Sequence, residues 1–212
     1  MLRLTILSFA LLLSLQTAVK ADSSELCARV LAFCGAEMAG QMSEKLGVNI
    51  TRDAEKFQNE IWEAIGRSPE EWFAFTSLIA QYRSCLGVNR DCINRTDLIM
   101  AMFRVDLTTA ATYITLFREF FYMTTTAIEV YERNGVCMKR ELTAHPEDMK
   151  RCKSDFKTAM QQHPERACDL LRQLINCINA IYTPCGEEIQ ITSCKTLQYG
   201  IGSTMPTCDL RC

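Results

Sequence analysis

The twelve cysteines are the residues of this 212-residue chain best suited to chemistry. None lies in the first 26 residues, and the last cysteine is the final residue. An even, high cysteine count downstream of a secretory signal is typical of a disulfide framework formed in an oxidising compartment. We therefore predict that all of them form disulfides, with the pairing left open: Cys27, Cys34, Cys85, Cys92, Cys137, Cys152, Cys168, Cys177, Cys185, Cys194, Cys208 and Cys212.

The alternative chemistry for these cysteines is zinc binding, and their spacing argues against it. Zinc sites use closely spaced Cys-x-x-Cys or Cys/His clusters, and the sequence has no Cys-x-x-Cys. Cys27 and Cys34 are seven residues apart, as are Cys85 and Cys92. Residues seven apart on a helix are too distant to bond each other, so we expect them to bridge to neighbouring elements. No metal or other cofactor is expected.

The two histidines and the acidic pairs give little support to catalysis. His145 and His163 each precede Pro-Glu, as Ser68 does, and this pattern predicts the start of a helix with Pro in the first turn. The sequence contains no Gly-x-Ser-x-Gly, His-Glu-x-x-His, EF-hand or phosphate-binding loop. The carboxylates of Glu187 and Glu188 are interpreted as a solvated surface. We predict that the protein is not an enzyme and keep a secreted hydrolase as the least favoured alternative.

Residues 1–21 have the features of a secretory signal peptide. Arg3 gives a positive start, Leu4 to Leu15 are apolar, and Val19 and Ala21 put small residues before a cut at Asp22. An apolar run of this length is too short to span a bilayer. The sequence thus predicts a signal peptide over 1–21, a single secreted domain over 22–212, and no membrane span.

Charge and glycosylation motifs narrow the partners. The leader holds Arg3 and Lys20 and no acidic residue, so 21 of 23 basic residues remain against 25 acidic ones, a net charge of −4. Without a basic block, no nucleic-acid partner is expected. Two sequons, Asn49-Ile50-Thr51 and Asn94-Arg95-Thr96, predict surface glycans on a secreted chain.

Helix signals dominate the rest of the sequence and predict an all-α, disulfide-stapled bundle. We expect helices from Asp22 to Gly47, from Thr51 to Gly66 and from Ser68 to Gly87, each with polar or Pro starts and Gly stops. Two later helices are expected to begin at Pro146 and Pro164.

Between these lies the longest predicted helix, from Asp97 to Gly135. Its apolar residues recur in steps of three and four on a wide face, which predicts a central helix with neighbours on two sides. The threonines 124–126 are a point where it is expected to kink or break. After Gly186 the pattern dissolves, which predicts an irregular cysteine-rich tail, with Ile189 and Ile191 hinting at a short strand.

One segment resembles a known family. The run from Cys168 through Cys177, then Tyr182-Thr183-Pro184-Cys185-Gly186 and Cys194, is similar to the nematode-expanded secreted cysteine-rich helical domain of unknown function. The resemblance covers most of residues 27–212 and rests mainly on cysteine spacing. It implies an extracellular helical module with no established activity and no catalytic residues to transfer.

We therefore predict a secreted, glycosylated, non-enzymatic interaction module, such as an effector, a ligand or a receptor-binding protein. Its expected partner is an unidentified extracellular protein. The alternative is a carrier of a hydrophobic small molecule or lipid, because the wide apolar face of the long helix would suit a ligand groove. Bundle cores have the same pattern, so we favour the interpretation in which other helices cover that face.

Overall fold

The computed structural model describes the backbone of residues 2–202, 205 and 208–212, and the side chains of these residues from 24 onward. Within that part the chain folds into nine α-helices and no strand, which confirms the disulfide-stapled all-α fold. The helices are α1 (Leu2–Leu46), α2 (Ala54–Ile65), α3 (Pro69–Leu86), α4 (Thr96–Phe103), α5 (Leu107–Met123), α6 (Ile128–Ala144), α7 (Pro146–Gln162), α8 (Ala167–Ile181) and α9 (Glu187–Ile201). Three 3₁₀ helices lie between them, at Gly87–Asn94, Pro164–Arg166 and Thr183–Cys185.

The first three helices end and begin close to the predicted residues. α1 ends before Gly47, whose φ of 68° is in the left-handed region that glycine adopts without strain. α2 begins after Asp53 instead of at Thr51, because the Asp53 carboxylate accepts a hydrogen bond from the Lys56 N–H. The cut predicted after Ala21 falls inside α1, among residues whose side chains are outside the described part.

Polar capping also fixes the start of α3. The Ser68 hydroxyl accepts a hydrogen bond from the Glu71 N–H at 3.3 Å, with Pro69 in the first turn. α7 begins at Pro146 as predicted, and a 3₁₀ turn at Pro164 precedes α8. The starts at Pro69 and Pro146 are confirmed, whereas α8 begins at Ala167, three residues after the predicted Pro164. The cap at Ser68 acts locally, before any tertiary contact is needed.

The single long helix predicted between Asp97 and Gly135 is wrong, because three helices occupy this region. Arg104 adopts a left-handed conformation with φ 54°, and Asp106 then caps α5 by accepting from the Thr109 N–H at 2.7 Å. The second break confirms the expected weak point: the hydroxyl of Thr124 donates to the carbonyl of Phe120 at 2.8 Å where α5 ends.

Two predicted boundaries further along are also wrong. Gly135 does not stop a helix, since α6 continues to Ala144 and buries Met138 and Glu141 beyond the glycine. The irregular tail starts later than expected: residues 187–201 form α9, with Glu187 and Glu188 in its first turn. Acidic residues there interact favourably with the helix dipole. The described residues after Gly202 have no regular secondary structure.

Helix α5 lies at the centre of the bundle and contacts α2, α3, α4, α6 and α9. Its side chains Tyr113, Phe117 and Phe120 are completely buried. α1 packs on α3, which contacts α5 directly. α7 packs on α8, and α8 contacts α9, which in turn packs on α5. No helix in the part of the chain with described side chains is both long and apolar enough to cross a membrane.

Candidate interaction surface

Every cysteine is paired, which confirms the predicted disulfide framework. The six pairs are Cys27–Cys92, Cys34–Cys85, Cys137–Cys185, Cys152–Cys177, Cys168–Cys208 and Cys194–Cys212. Four of them connect residues after 136, where they tie α6, α7, α8, α9 and the C-terminal residues to one another. The other two connect α1 to α3 and to the 3₁₀ helix that follows α3.

The two N-terminal disulfides hold α1 and α3 side by side in opposite directions. The earlier cysteine of α1, Cys27, bonds the later partner Cys92, and Cys34 bonds Cys85. Their Cα atoms lie 5.3 and 5.8 Å apart. Cys27 and Cys34 have the same spacing of seven residues as Cys85 and Cys92 because the two pairs of cysteines face each other across antiparallel helices. We call residues 24–94 that form it the α1–α3 hairpin.

The outward side of the hairpin carries two rows of side chains that flank a shallow depression. One row follows α1 in helical steps (Leu26, Val30, Phe33, Glu37) and the other follows α3 (Phe73, Ser77, Gln81, Ser84). Glu37 and Gln81 both line the depression, so the two rows face the same side of the molecule.

Large apolar side chains are exposed on the α1–α3 hairpin. Leu26 is 50% exposed, Phe33 71% and Val88 93%. Leu26 and Phe33 directly precede Cys27 and Cys34 in the sequence. Val88 lies in the sequence between Cys85 and Cys92, which are the disulfide partners of those two cysteines. The disulfides therefore bring all three residues to one end of the hairpin. We call these three residues the apolar patch. Phe73, 57% exposed, lies on the same side near the other end.

Below the depression lies a buried hydroxyl. Tyr82 is 2% exposed, and its hydroxyl has no hydrogen-bond partner among the described residues. Burial raises the pKa of this phenol, so it stays protonated. The rim above it is polar: Gln81 Nε2 donates to Ser77 Oγ at 3.2 Å, and Lys45 Nζ donates to Gln41 Oε1 at 3.2 Å. A shallow depression with an apolar patch at one end and a polar rim has the composition of a protein-binding surface.

Both histidines lie at helix starts, as predicted, on exposed surface. His145 separates α6 from α7, and its Nδ1 lies 3.1 Å from an oxygen of Asp148. His163 precedes the turn into α8 and pairs with Glu165 at 3.4 Å. Neither side chain caps its helix. Each histidine is therefore paired with a carboxylate that is close to it in sequence, at its own helix junction.

One group of side chains in the described part has the proximity of a metal site, namely Cys137, Glu141 and Cys185. The two sulfurs are bonded to each other, so neither is a thiolate ligand. Glu141 is instead engaged by Arg140, whose Nη2 lies 2.7 Å from its carboxylate. This cluster is therefore structural.

A buried carboxyl group is the main feature that the sequence reasoning missed. Glu119 of α5 is 6% exposed at the contact with α9. Gly200 makes room for it, because a Cβ atom built there would come within 2.6 Å of Glu119 Cγ. Burial raises the pKa of this carboxyl to about 8. The available signal was Glu119 itself, a charged residue inside an apolar stretch of the sequence.

The surroundings of Glu119 are polar but only partly charged. Lys153 of α7 is the one cation that acts on it, and burial lowers the pKa of this lysine as well. Lys153 Nζ donates to Gln58 Oε1 at 3.2 Å. On the α9 side, the hydroxyls of Tyr131 and Thr196 are 2.8 Å apart. For both groups desolvation has a larger effect on the pKa than the attraction between them, so the pKa of the carboxyl is raised and that of the ammonium group is lowered.

The two sequon asparagines lie at opposite ends of the α1–α3 hairpin. Asn49 is exposed in the loop between α1 and α2. Asn94 is half-buried at the end of the 3₁₀ helix, and its Oδ1 accepts a hydrogen bond from Arg118 Nη1 at 3.2 Å. The acidic pair of α9 is on the surface as predicted: both carboxylates are exposed, and Glu188 pairs with Arg133 at 2.6 Å.

The wide apolar face of α5 is covered by the protein's own side chains. Phe120 makes an edge-on contact with Phe75 of α3 at 5.1 Å between ring centroids. Phe117 lies 5.7 Å from Tyr82 of α3, and Tyr113 lies 5.7 Å from Phe57 of α2. These contacts cover the apolar face of α5, for which the sequence allowed two interpretations, a helix core or a ligand groove.

Comparison with known protein families, with curated proteins and with solved structures gives no significant match. The resemblance to the nematode secreted cysteine-rich domain therefore stays a prediction.

Proposed function

We propose that this protein is a secreted, glycosylated, non-enzymatic interaction module that binds an extracellular protein through the outward side of the α1–α3 hairpin. The observation that carries the proposal is the apolar patch, where Leu26, Phe33 and Val88 are at least half exposed beside two disulfides. Exposed apolar side chains that cluster on a surface rimmed by polar residues mark sites of protein interaction. Six disulfides also fit an oxidising extracellular setting.

The partner we expect is a protein with an apolar contact surface of its own. Four uncharged polar side chains border the depression (Gln41, Ser77, Gln81, Ser84) beside the charged Glu37, and Arg29 near Leu26 is paired with Glu25. The depression is too shallow to enclose a small molecule, so contact must come from a broad surface. Rigid support by the two disulfides lowers the entropy lost on binding.

The carrier and hydrolase alternatives have less support. A carrier needs unoccupied apolar volume, whereas the aromatic side chains of α5 contact α2 and α3 directly. A hydrolase needs a positioned nucleophile and base, whereas His145 and His163 pair with exposed acids beside them in sequence.

Surface binding by matched variants tests the proposal. Purified, fluorescently labelled protein is titrated onto intact cells of the source organism, with unlabelled protein as competitor. We expect saturable binding that Phe33→Ser and Val88→Ser each weaken about tenfold or more, since both remove a candidate anchor. The matched control is Val136→Ser, because Val136 is also highly exposed (81%) but lies on α6.

Binding that is absent or not saturable would overturn the proposed function. Equal binding by the Val88 and Val136 variants would instead remove the hairpin as the binding surface. Circular dichroism and free-thiol counts establish that each variant is folded and fully crosslinked before it is compared.

A further inference from the structure

Among the charged and aromatic groups outside the apolar patch, one cluster combines a sequon asparagine with unused hydrogen-bond donors. We infer that Asn94 carries an N-linked glycan whose first sugars lie against Arg118 and Tyr199, whereas a glycan on Asn49 extends freely into solvent. This inference rests on the proposed function in one respect, that the chain passes through the secretory pathway. We call Asn94, Arg118 and Tyr199 the glycan seat.

The orientation of the Asn94 amide is fixed by Arg118. A guanidinium has only donors, so the amide atom that faces Arg118 Nη1 at 3.2 Å must be the oxygen. The amide nitrogen Nδ2 therefore takes no part in the bond to Arg118, and it has no acceptor among the residues that the structure describes. Nδ2 is the atom that carries the sugar in an N-glycan, and glycosylation leaves the Oδ1 hydrogen bond intact.

Formation of the glycan requires only the ordinary donor of the secretory pathway, a lipid-linked oligosaccharyl diphosphate. The Asn94 Nδ2 attacks C1 of the first sugar, a C–N bond forms, and the C–O bond to the diphosphate breaks. The amide proton leaves with the lipid diphosphate. Transfer takes place on the unfolded chain, so the folded protein needs only to accommodate the product.

Arg118 offers the sugars donors that the protein does not use. Two of its five N–H groups are engaged, Nε with the carbonyl of Tyr199 at 2.9 Å and Nη1 with Asn94. Its remaining N–H groups have no acceptor in the described part of the chain. The carbonyl and hydroxyl groups of N-acetylglucosamine are suitable acceptors for them.

Tyr199 supplies the apolar side of the seat. The guanidinium carbon of Arg118 lies 4.6 Å from the centre of its ring, and Tyr122 lies 5.5 Å from it on α5. Tyr199 is nevertheless 43% exposed. A sugar packed against the exposed part would bury it.

Asn49 provides an internal comparison. It is exposed, it makes no hydrogen bond that the structure describes, and its neighbours Val48 and Ile50 turn inward. No arginine side chain forms a hydrogen bond with it in the described part, and the nearby Arg67 donates instead to the Leu46 carbonyl. One chain thus offers a seated sequon and an unseated one under identical conditions.

Native deglycosylation tests the inference. The full chain is secreted from eukaryotic cells, peptide-N-glycosidase is added without denaturant, and mass spectrometry follows release at each asparagine. We expect the Asn94 glycan to be released about tenfold more slowly than the Asn49 glycan, the effect of one modest contact. Arg118→Ala and Tyr199→Ala should raise the rate at Asn94 to that at Asn49, and Tyr199→Phe should retain the protection.

An Asn94 that is unoccupied in the secreted protein would overturn the inference, as would equal release rates at the two sites. If Arg118→Ala is not secreted, the comparison of Tyr199→Ala with Tyr199→Phe decides, because loss of protection in both or in neither contradicts a role for the ring. An unoccupied Asn94 in a protein that still binds cells would leave the proposed function standing. Failure of the chain to be secreted at all would overturn both.

Discussion

The two faces of helix α5 are built on different principles. Toward α2 and α3 it presents Phe117 and Phe120, completely buried against other aromatic rings. Toward α9 it presents Glu119, a buried carboxyl that requires a glycine opposite. The stability of the first face depends on shape and apolar area, whereas that of the second depends also on a proton. One helix therefore couples the α1–α3 hairpin to the C-terminal helices through contacts of opposite character.

The largest effect should come from emptying the aromatic face. Phe120→Ala removes a ring that is 0% exposed, and we expect it to reduce the free energy of unfolding by about 3–5 kcal/mol at any pH. Chemical denaturation measures the loss. Phe73→Ala is the matched control, because this ring is 57% exposed and its removal should change stability by about 0.5 kcal/mol or less. Similar losses from both variants would mean that the aromatic face is not the main source of stability.

The polar face should respond to pH. The pKa of Glu119 is about 8 in the folded protein and has its ordinary value of 4.5 in the unfolded chain. The folded state thus binds the proton of Glu119 more tightly than the unfolded chain does. The contribution of this group to the free energy of unfolding is therefore fully present below about pH 4.5 and falls by a few kcal/mol as the pH rises to about 8.

Glu119→Gln checks this dependence, since glutamine has nearly the same shape and no titrating proton. Thermal unfolding of both proteins across pH 4–9 is compared, and the difference between the two curves isolates Glu119 from other groups. We expect the variant to become the more stable protein as pH rises. Parallel curves would mean that the carboxyl is solvated or compensated in the folded state.

The smallest of the three effects tests the glycine opposite Glu119. Gly200→Ala would place a Cβ within 2.9 Å of Glu119 Oε1 and 3.1 Å of the Thr115 carbonyl, and the carbonyl belongs to a helix backbone that cannot easily shift. We expect a loss of about 1–3 kcal/mol from overpacking. Gly40→Ala is the control: nothing lies within 4 Å of that Cβ, and alanine in an exposed helix interior should add about 0.5–1 kcal/mol. Differential scanning calorimetry measures the stability of both variants. A loss of stability in Gly40→Ala as well as in Gly200→Ala would contradict the close contact at Gly200.

Local signals allowed much of the fold to be predicted. Ser68 with Pro69, and Gly47, mark their helix ends by interactions within a few residues, so no knowledge of the tertiary structure was needed. The cysteine framework was predictable from count and context. The pairing was not, because spacing alone does not say which helices meet.

The remaining elements depend on contacts distant in sequence. α9 is rich in β-branched residues such as Ile189 and Thr192, which favour strands, yet both are buried in a helix packed on α5. The break at Arg104 had one usable signal, the N-cap residue Asp106, but the apolar periodicity continued through it. The apolar patch was not predictable, because the sequence does not distinguish an apolar side chain that will be exposed from one that will be buried by a neighbouring helix.

The disulfides fall into two groups that no crosslink joins. The N-terminal group ends at Cys92 and the C-terminal group begins at Cys137, so α4 and α5 carry no crosslink. Under mechanical tension the stretch between these two cysteines can extend to full length while loops on either side stay closed. A single proteolytic cut within it, followed by denaturant without reductant, would release two separately crosslinked pieces.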